Sequence, residues 1–590
     1  VCNSPVILCV DDTLTSSGKG YIEGIVVSVD GAVDNCGVQT YTYGITYEEG
    51  QLLDPNTDLS ALTGVLCRGC LTTYIDDNAG SGGGIGAIFP VYNTSAGDGA
   101  LSDVIVTTGT DNSAFGYHAV KDTTTGVRNT GFGAFALQAN TTGGSNTAIG
   151  GSTLYSNTTG SANTAVGSNA LLGGNASYNT AIGSNSLLNN ATGTENTSMG
   201  ASSMYANTSG YGNTSIGRNS MRYNLGGYQN TAVGMSSLKA CVSGITNTAL
   251  GYSSLLAMTT GRDNVSLGAW ANQSLTTGSE NVAVGLSAMH GATTGSSNVA
   301  IGYDALHFSN GTENVAVGKA AYLGSVSSAS YNTAIGAYAL YSGSTGTENV
   351  AVGRQALYSN TVAIKNTAVG ADALYSNSSG IEQVAIGYAA LRAVTTGNYN
   401  TGCGGNCLTA LTTGAENTAI GSYASSAVTT NSYTVGVGTG ALETATGSSN
   451  TGVGRHALQT VVTGNLNTAI GYQAGKLVSG GGNNTSATNS VYLGADTKAY
   501  AAAQTNEIVI GYGAVGIGSN TAVVGTASTT ITELFGKIGL NNAAPTARMH
   551  LPAGTATAGS APLKLTAGPV NTVPEAGTIE FDGSNFFMTV

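Results

Sequence analysis

The chain has 590 residues, of which only 8% are charged and 88 are glycine, with a formal net charge of −13. Charge at about a third of its usual share and glycine at about twice it exclude an ordinary globular enzyme surface, and leave Ser, Thr, Asn and Gly to hold the chain in water. The thinly spread acidity argues against nucleic acid and against an anionic membrane as partners, and 8 prolines are too few for a collagen-like or polyproline rod.

Residues 1–108 stand apart from the rest. Two β-rich stretches, GYIEGIVVSVDGAV (20–33) and VQTYTYGITY (38–47), predict a small N-terminal β domain that attaches the chain to a larger assembly. Five of the eight cysteines are here, at Cys2, Cys9, Cys36, Cys67 and Cys70. The CxxC of Cys67 and Cys70 fits half a zinc site with Cys2 and Cys9, a redox pair, or a disulfide; without a second CxxC or a His partner, structural cysteines are the preferred reading, with Cys67 and Cys70 as candidate disulfide partners. The run SGGGIGAIF (81–89) lacks the Lys-Ser/Thr of a phosphate loop and is expected to be a linker. No run of eighteen apolar residues exists, so no transmembrane helix and no membrane insertion are expected. The start at Val1 and the strand-like FDGSNFFMTV at the end lead to the expectation of processed or cut termini.

Residues 109–480 repeat one phrase. Asn-[Thr/Val]-[Ala/Ser]-[Ile/Val/Leu]-Gly recurs from Asn112 to Asn467, counting Gln383 and Tyr433 as variants, at a step of 17 residues with a few 16s and one 18. A fixed short period over so many copies means a solenoid. A second apolar point follows eight residues after the Asn, as at Leu154, Leu171, Leu187, Met204 and Met221. Two short apolar runs between glycine turns leave no room for a helix, so each unit is predicted as two short strands in an all-β, parallel β-solenoid of about 17 residues per coil. Stacked coils lie about 4.8 Å apart, which sets the expectation of a rod of roughly 100 Å.

Stacking turns each repeated residue into a ladder. Asn146, Asn163, Asn179, Asn196 and Asn213 are expected to hydrogen-bond up the stack, Ile on Ile to fill the core, and Gly to supply the corners. The small residue at the third motif position (Ala148, Ala165, Ala181, Ser198, Ser215) is expected to admit a neighbouring backbone, so that several chains share one axis. Like charges would face each other in such ladders, and Glu348, Lys365 and Glu382 alternate in sign ahead of three successive motifs. Tyr341, Tyr358 and Tyr375 all fall nine residues after their Asn and are candidates for contact with glycan or for an aromatic ladder.

Residues 481–530 carry degenerate copies at Asn489, Asn506 and Asn520, and 531–590 end in a further β segment. The NTAIG and NVAVG phrases, with their following Ala-Leu, resemble the head repeats of trimeric autotransporter adhesins and, more closely, related repeats of bacteriophage tail-fibre proteins. The resemblance covers roughly residues 109–530 and implies a left-handed β-roll, three of which associate as a homotrimer. Gly536–Gly568 with the following EAGTIEFDGSNFFMTV is similar to the segment that precedes the C-terminal intramolecular chaperone of many tail fibres.

Chemistry is sparse. The five histidines share no metal-ligand spacing with Cys, Asp or Glu, and Cys403 and Cys407 fit core substitutions within one coil. The pairs Asp11-Asp12, Glu48-Glu49 and Asp76-Asp77 are acidic but carry no facing geometry in sequence. No catalytic residue, metal or cofactor is expected. The expectation is a structural trimeric fibre of a virion, at the virion surface or otherwise extracellular, that contacts a host glycan or protein and joins other virion proteins through its N-terminal domain. A bacterial cell-surface adhesin or extracellular filament is the alternative, with a carbohydrate-degrading tailspike behind it.

Overall fold

The computed structural model describes residues 93–101, 109–324 and 328–529, together with the short strands Thr46–Tyr47, Gln51–Leu52, Ile538–Gly539, Met549–His550, Ile579–Phe581 and Phe586–Met588. The chain divides into two compact units, Val1–Asn366 and Thr367–Val590. In the first, sixteen three-residue strands from Thr94–Ala96 to Val350–Val352 pair in parallel, each with the next. In the second, ten strands from Thr367–Val369 to Ala522–Val524 do the same. Both are all-β parallel solenoids without a helix among the described residues. Register is strict: Thr147 faces Thr164, Ala148 faces Ala165 and Ile149 faces Val166. Irregular steps are absorbed in the turns, since Val299 pairs Val315 and Val315 pairs Thr333 without slippage. The ladder starts one coil before the boundary expected at 109, with Asn93 accepting the Asn112 N–H at 2.7 Å.

Each regular coil holds one strand rather than the expected two. The second apolar point is a turn residue in the left-handed region, as at Leu154 (φ 53°), Leu187 (φ 53°) and Met221 (φ 46°). That conformation is most costly for β-branched side chains. The sequence obeys the cost: Leu or Met is the usual choice at this point, whereas Ile, Val and Leu end the strands.

The inside and outside of the strand are the reverse of the expectation. Alternation puts the first and third strand residues on one side and the middle residue on the other. Here the middle Ala148, Ala165 and Ala181 are fully buried, while Ile149 and Ile301 are 42% and 39% exposed. Beside a filled leucine column the interior is narrow: a Cβ on Gly402 in the middle position would meet Leu391 Cδ1 at 3.2 Å and Cys407 Sγ at 2.9 Å. The small third motif residue therefore faces its own coil's leucine column, not a neighbouring chain, and Ile and Val form an outer row.

The asparagines form the predicted kind of hydrogen-bonded column. Asn163 N–H donates to Asn146 Oδ1 at 3.0 Å, and its Nδ2 donates to the same oxygen at 3.1 Å and to Ala176 O at 2.9 Å. Asn179, Asn196 and Asn213 repeat the pattern, with backbone N–H to the preceding Oδ1 at 2.9, 3.0 and 3.0 Å and Nδ2 to Gly193, Gly210 and Gly227 carbonyls. All five are buried. In the regular coils this side chain both accepts from the coil that follows and donates into its own turn, two roles that an amide combines.

Four ladder positions differ from the expectation by one residue. Thr434, not Tyr433, donates its N–H to Asn417 Oδ1 at 3.0 Å. In the degenerate coils Ser490 and Glu507 take the column, Ser490 N–H reaching Asn467 Oδ1 at 3.1 Å and Glu507 N–H reaching Ser490 Oγ at 3.1 Å, and Thr521 precedes the strand Ala522–Val524. Tyr433, Asn489, Asn506 and Asn520 instead occupy the left-handed residue just before it, at φ 61°, 54°, 57° and 60°.

Core volume is conserved by exchange between columns. Tyr322 replaces the usual leucine and is fully enclosed, its hydroxyl accepting from Asn332 Nδ2 at 3.3 Å; a Cβ on Gly343 would lie 2.6 Å from its ring. Tyr492 likewise replaces a strand alanine where Gly475 replaces the leucine. Asn272 is an exchange without compensation. It stands in the leucine column, fully buried, and neither its Oδ1 nor its Nδ2 has a hydrogen-bond partner. Asn272→Leu is expected to stabilise that region by about 1–3 kcal/mol, the cost of two orphaned polar atoms, readable as slower amide exchange in the flanking coils.

Candidate recognition surfaces

Three outward features remain once the buried ladders are set aside. The first is the strand face. From Ser113–Phe115 to Val350–Val352 every strand ends on a large apolar residue, and the ten stacked strands of the second unit, from Thr367–Val369 to Ala522–Val524, show the same pattern with Cys403 as their one exception. Ile149, Met199, Ile216, Leu250, Ile301 and Ile335 are each 37–47% exposed in the first unit, as are Ile386, Ile420 and Ile470 (42–44%) in the second. An in-register apolar row of this length is far from the scattered exposure of single hydrophobic residues on a monomer surface.

The second feature is aromatic. Tyr341 and Tyr358 stack at 4.9 Å with an interplanar angle of 3°, as successive rungs of one column. Tyr375, in the second unit, packs under the Arg392 guanidinium at 5.1 Å. All three are half-buried. Tyr211 and Tyr228 stack at 4.8 Å on another edge, Tyr252 meets Trp270 edge-on at 5.9 Å, and Lys319 lies 5.6 Å over Tyr338.

The third is ionic. Glu348 and Lys365, which alternate in sign along the sequence, share the left-handed column before the strands at φ 58° each, and Arg262 lies 3.7 Å from Asp263. Arg222 stands 5.5 Å over Tyr205 and 5.7 Å over Tyr223, with Nη1 donating to Asn219 Oδ1 at 3.0 Å. Arg222 follows its ladder asparagine by nine residues, as Tyr341 does, so that column holds a cation as well as tyrosines.

A second buried amide column also escaped the sequence reading. Asn157 Nδ2 donates to Asn140 Oδ1 at 3.0 Å, and Asn207 and Asn224 donate to Asn190 and Asn207 at 2.7 Å. The 17-residue spacing of these residues was visible in the sequence, eleven residues after each ladder asparagine. Further along this column Cys241, Met258 and Leu275 replace amide with sulfur and alkyl groups. Burial pushes the Cys241 thiol up to about 11 and Cys407 up to about 12, so both are inert thiols; Cys403 is exposed on the strand face.

His290 and His307 stack at 5.0 Å in adjacent coils, and Phe308 meets His307 edge-on at 4.1 Å. Burial lowers the His307 pKa, the Asp304 carboxylate opposes that shift, and His290 adds to it. With a folded pKa below 6.5, the unfolded chain binds the proton more readily, so stability is complete above that pH and is lost as pH falls below it. Protection factors around residues 281–309, taken relative to the intrinsic exchange rate at each pH, are expected to fall as the pH drops below about 6.5, and His307→Gln is expected to remove the dependence.

Among the described residues no three His, Cys, Asp or Glu side chains gather closely enough to hold a metal ion, and no helix is long and apolar enough to cross a membrane. Cys67, Cys70 and the pairs Asp11-Asp12, Glu48-Glu49 and Asp76-Asp77 lie outside the described residues. Compared with known proteins, the chain matches no family model and no curated relative.

Proposed function

We propose that this chain is a non-enzymatic structural fibre protein of a virion, a phage tail fibre or similar appendage, in which three copies pack through their strand faces and present a host-attachment surface. The observation that carries the reading is the outer row of mostly Ile, Val, Leu, Met and Phe that each unit carries at the ends of its stacked strands. A row left roughly 40% exposed on one chain is covered if identical chains meet along it, and each side chain so covered contributes about 0.5–1 kcal/mol. Repeated over the strands of one unit, that gain is of the order needed to offset the several kcal/mol lost in association.

The rest of the chain is consistent with this role. Few charges, tight in-register coils and buried amide ladders suit a stiff spacer, and multivalent non-covalent contact is the means by which such a spacer acts. In this assembly the coils are left-handed, as the tail-fibre and adhesin-head resemblance implies, and the N-terminal domain holds the fibre to its particle. Immunogold electron microscopy of the source material with antibody against the repeat region tests the role. Label on virus particles is the expected result; label confined to cell envelopes or free filaments would overturn it in favour of an adhesin.

A further inference from the structure

We propose that the coils between Glu195 and Asp263 carry a binding site for an acidic polysaccharide, a chain of pyranose rings bearing carboxylates. The proposal deepens the attachment role above by naming the ligand class. In a chain of net charge −13, residues 196–262 contain no Asp or Glu, yet hold Arg218, Arg222 and Lys239. Arg262, at the far end, already lies by Asp263.

Arg222 and Lys239 occupy the same place in adjacent coils. Tyr223 N–H donates to Lys239 O at 3.1 Å and Ala206 N–H to Arg222 O at 2.9 Å, so the two cationic residues are consecutive rungs of one column. Like charges on neighbouring rungs repel, and the fold places no carboxylate in these coils to relieve them. An anion bound across both removes the repulsion and gains charge-assisted hydrogen bonds from a guanidinium and an ammonium.

The guanidinium is held ready for such a ligand. It lies over the Tyr205 and Tyr223 rings and donates to Asn219, while its Nε is enclosed without a partner. Tyr223 is 48% exposed and Arg218, on the same coil, is exposed. Aromatic rings beside cations offer an apolar platform to the C–H face of a sugar and donors to its carboxylate. A nucleic acid fits less well. Its backbone carries a phosphate about every 3.4 Å per strand and needs a continuing basic stripe, whereas Glu195 lies at one end of this stretch and Asp263 and Glu280 at the other.

Isothermal titration of the intact chain with size-fractionated polygalacturonate, neutral dextran and a single-stranded oligonucleotide tests the site. Polygalacturonate is expected to bind and dextran not to, with affinity falling about tenfold or more as salt rises from about 0.05 to 0.5 M. Arg222→Gln and Lys239→Gln are each expected to weaken binding about fivefold or more, while Lys365→Gln, in the separate left-handed column before the strands and several coils away, leaves it unchanged. Unchanged far-ultraviolet dichroism and melting of the variants would exclude misfolding as the cause. Equal binding to dextran, tighter binding of the oligonucleotide, or indifference to both substitutions would overturn the proposal. Failure here with trimers intact would leave the fibre reading standing, and a monomeric chain that binds polygalacturonate through Arg222 and Lys239 would do the reverse.

Discussion

Gly234→Ala is expected to be severely destabilising, whereas Gly405→Ala, at the position one residue further along its own coil, is expected to be silent. Gly234 has φ 132°, and a Cβ there would lie 2.4 Å from Gly251 O and 2.7 Å from its carbonyl carbon. Nothing flexible is available to move, because the obstacle is the backbone of the next coil. The left-side φ alone costs about 1–3 kcal/mol, and the overlap adds the cost of separating two coils that share strand hydrogen bonds and an asparagine rung. Gly405 has no atom within 4 Å of such a Cβ and no positive φ. Since each coil contacts mainly its neighbours, the damage is expected to be local. Hydrogen exchange by mass spectrometry would show it as lost protection in the peptides around residues 213–251 in the Gly234 variant. Equal protection in both variants would contradict the stacking geometry.

Ile301→Glu combined with Ile335→Glu is expected to leave the coils folded and to dissociate the proposed trimer. Both side chains are about 40% exposed on a single chain, so a carboxylate at either place remains solvated there. Within a bundle joined through the strand faces, three copies of each carboxylate would be brought together and stripped of water, at a cost of several kcal/mol. Circular dichroism should be unchanged while sedimentation falls to that of one chain. Cys403 provides a matching footprint without mutation. It is exposed at the same strand position in the second unit, so a bulky maleimide should label it slowly in the assembly and quickly after dissociation. Trimers that survive the double substitution would place the interface elsewhere.

The solenoid was legible because its period is uninterrupted and because Asn, Gly and β-branched residues each have a distinct stacking role. The asparagine column was legible for the same reason, down to the residue over most of its length. What was not legible was direction. Sequence alternation says that Ala148 and Ile149 face opposite ways, not which way is in, and the larger side chain was assigned to the interior on hydrophobicity alone. The coil interior is instead narrow, filled by the ladder amides, one leucine and small residues such as Ala351 and Ala356, and Ile149 faces out. The turn at Leu154 was taken for a strand because an apolar residue beside a small one looks alike in both; its avoidance of β-branched residues was the available signal. Tyr433 and Asn506 were misplaced by one because their neighbours Thr434 and Glu507 perform the ladder's role with different chemistry. The Arg222 and Lys239 column was hidden by the low overall charge, which averages away a local excess that only coil stacking brings together.

The proposed fibre requires three identical chains to meet along the apolar strand face. Native mass spectrometry of the intact protein tests this most directly, since one chain is 58.4 kDa. A single species at three times that mass, lost in the Ile301→Glu, Ile335→Glu variant, is the predicted result. A monodisperse 58.4 kDa monomer at micromolar concentration, stable with its apolar row uncovered, would contradict it.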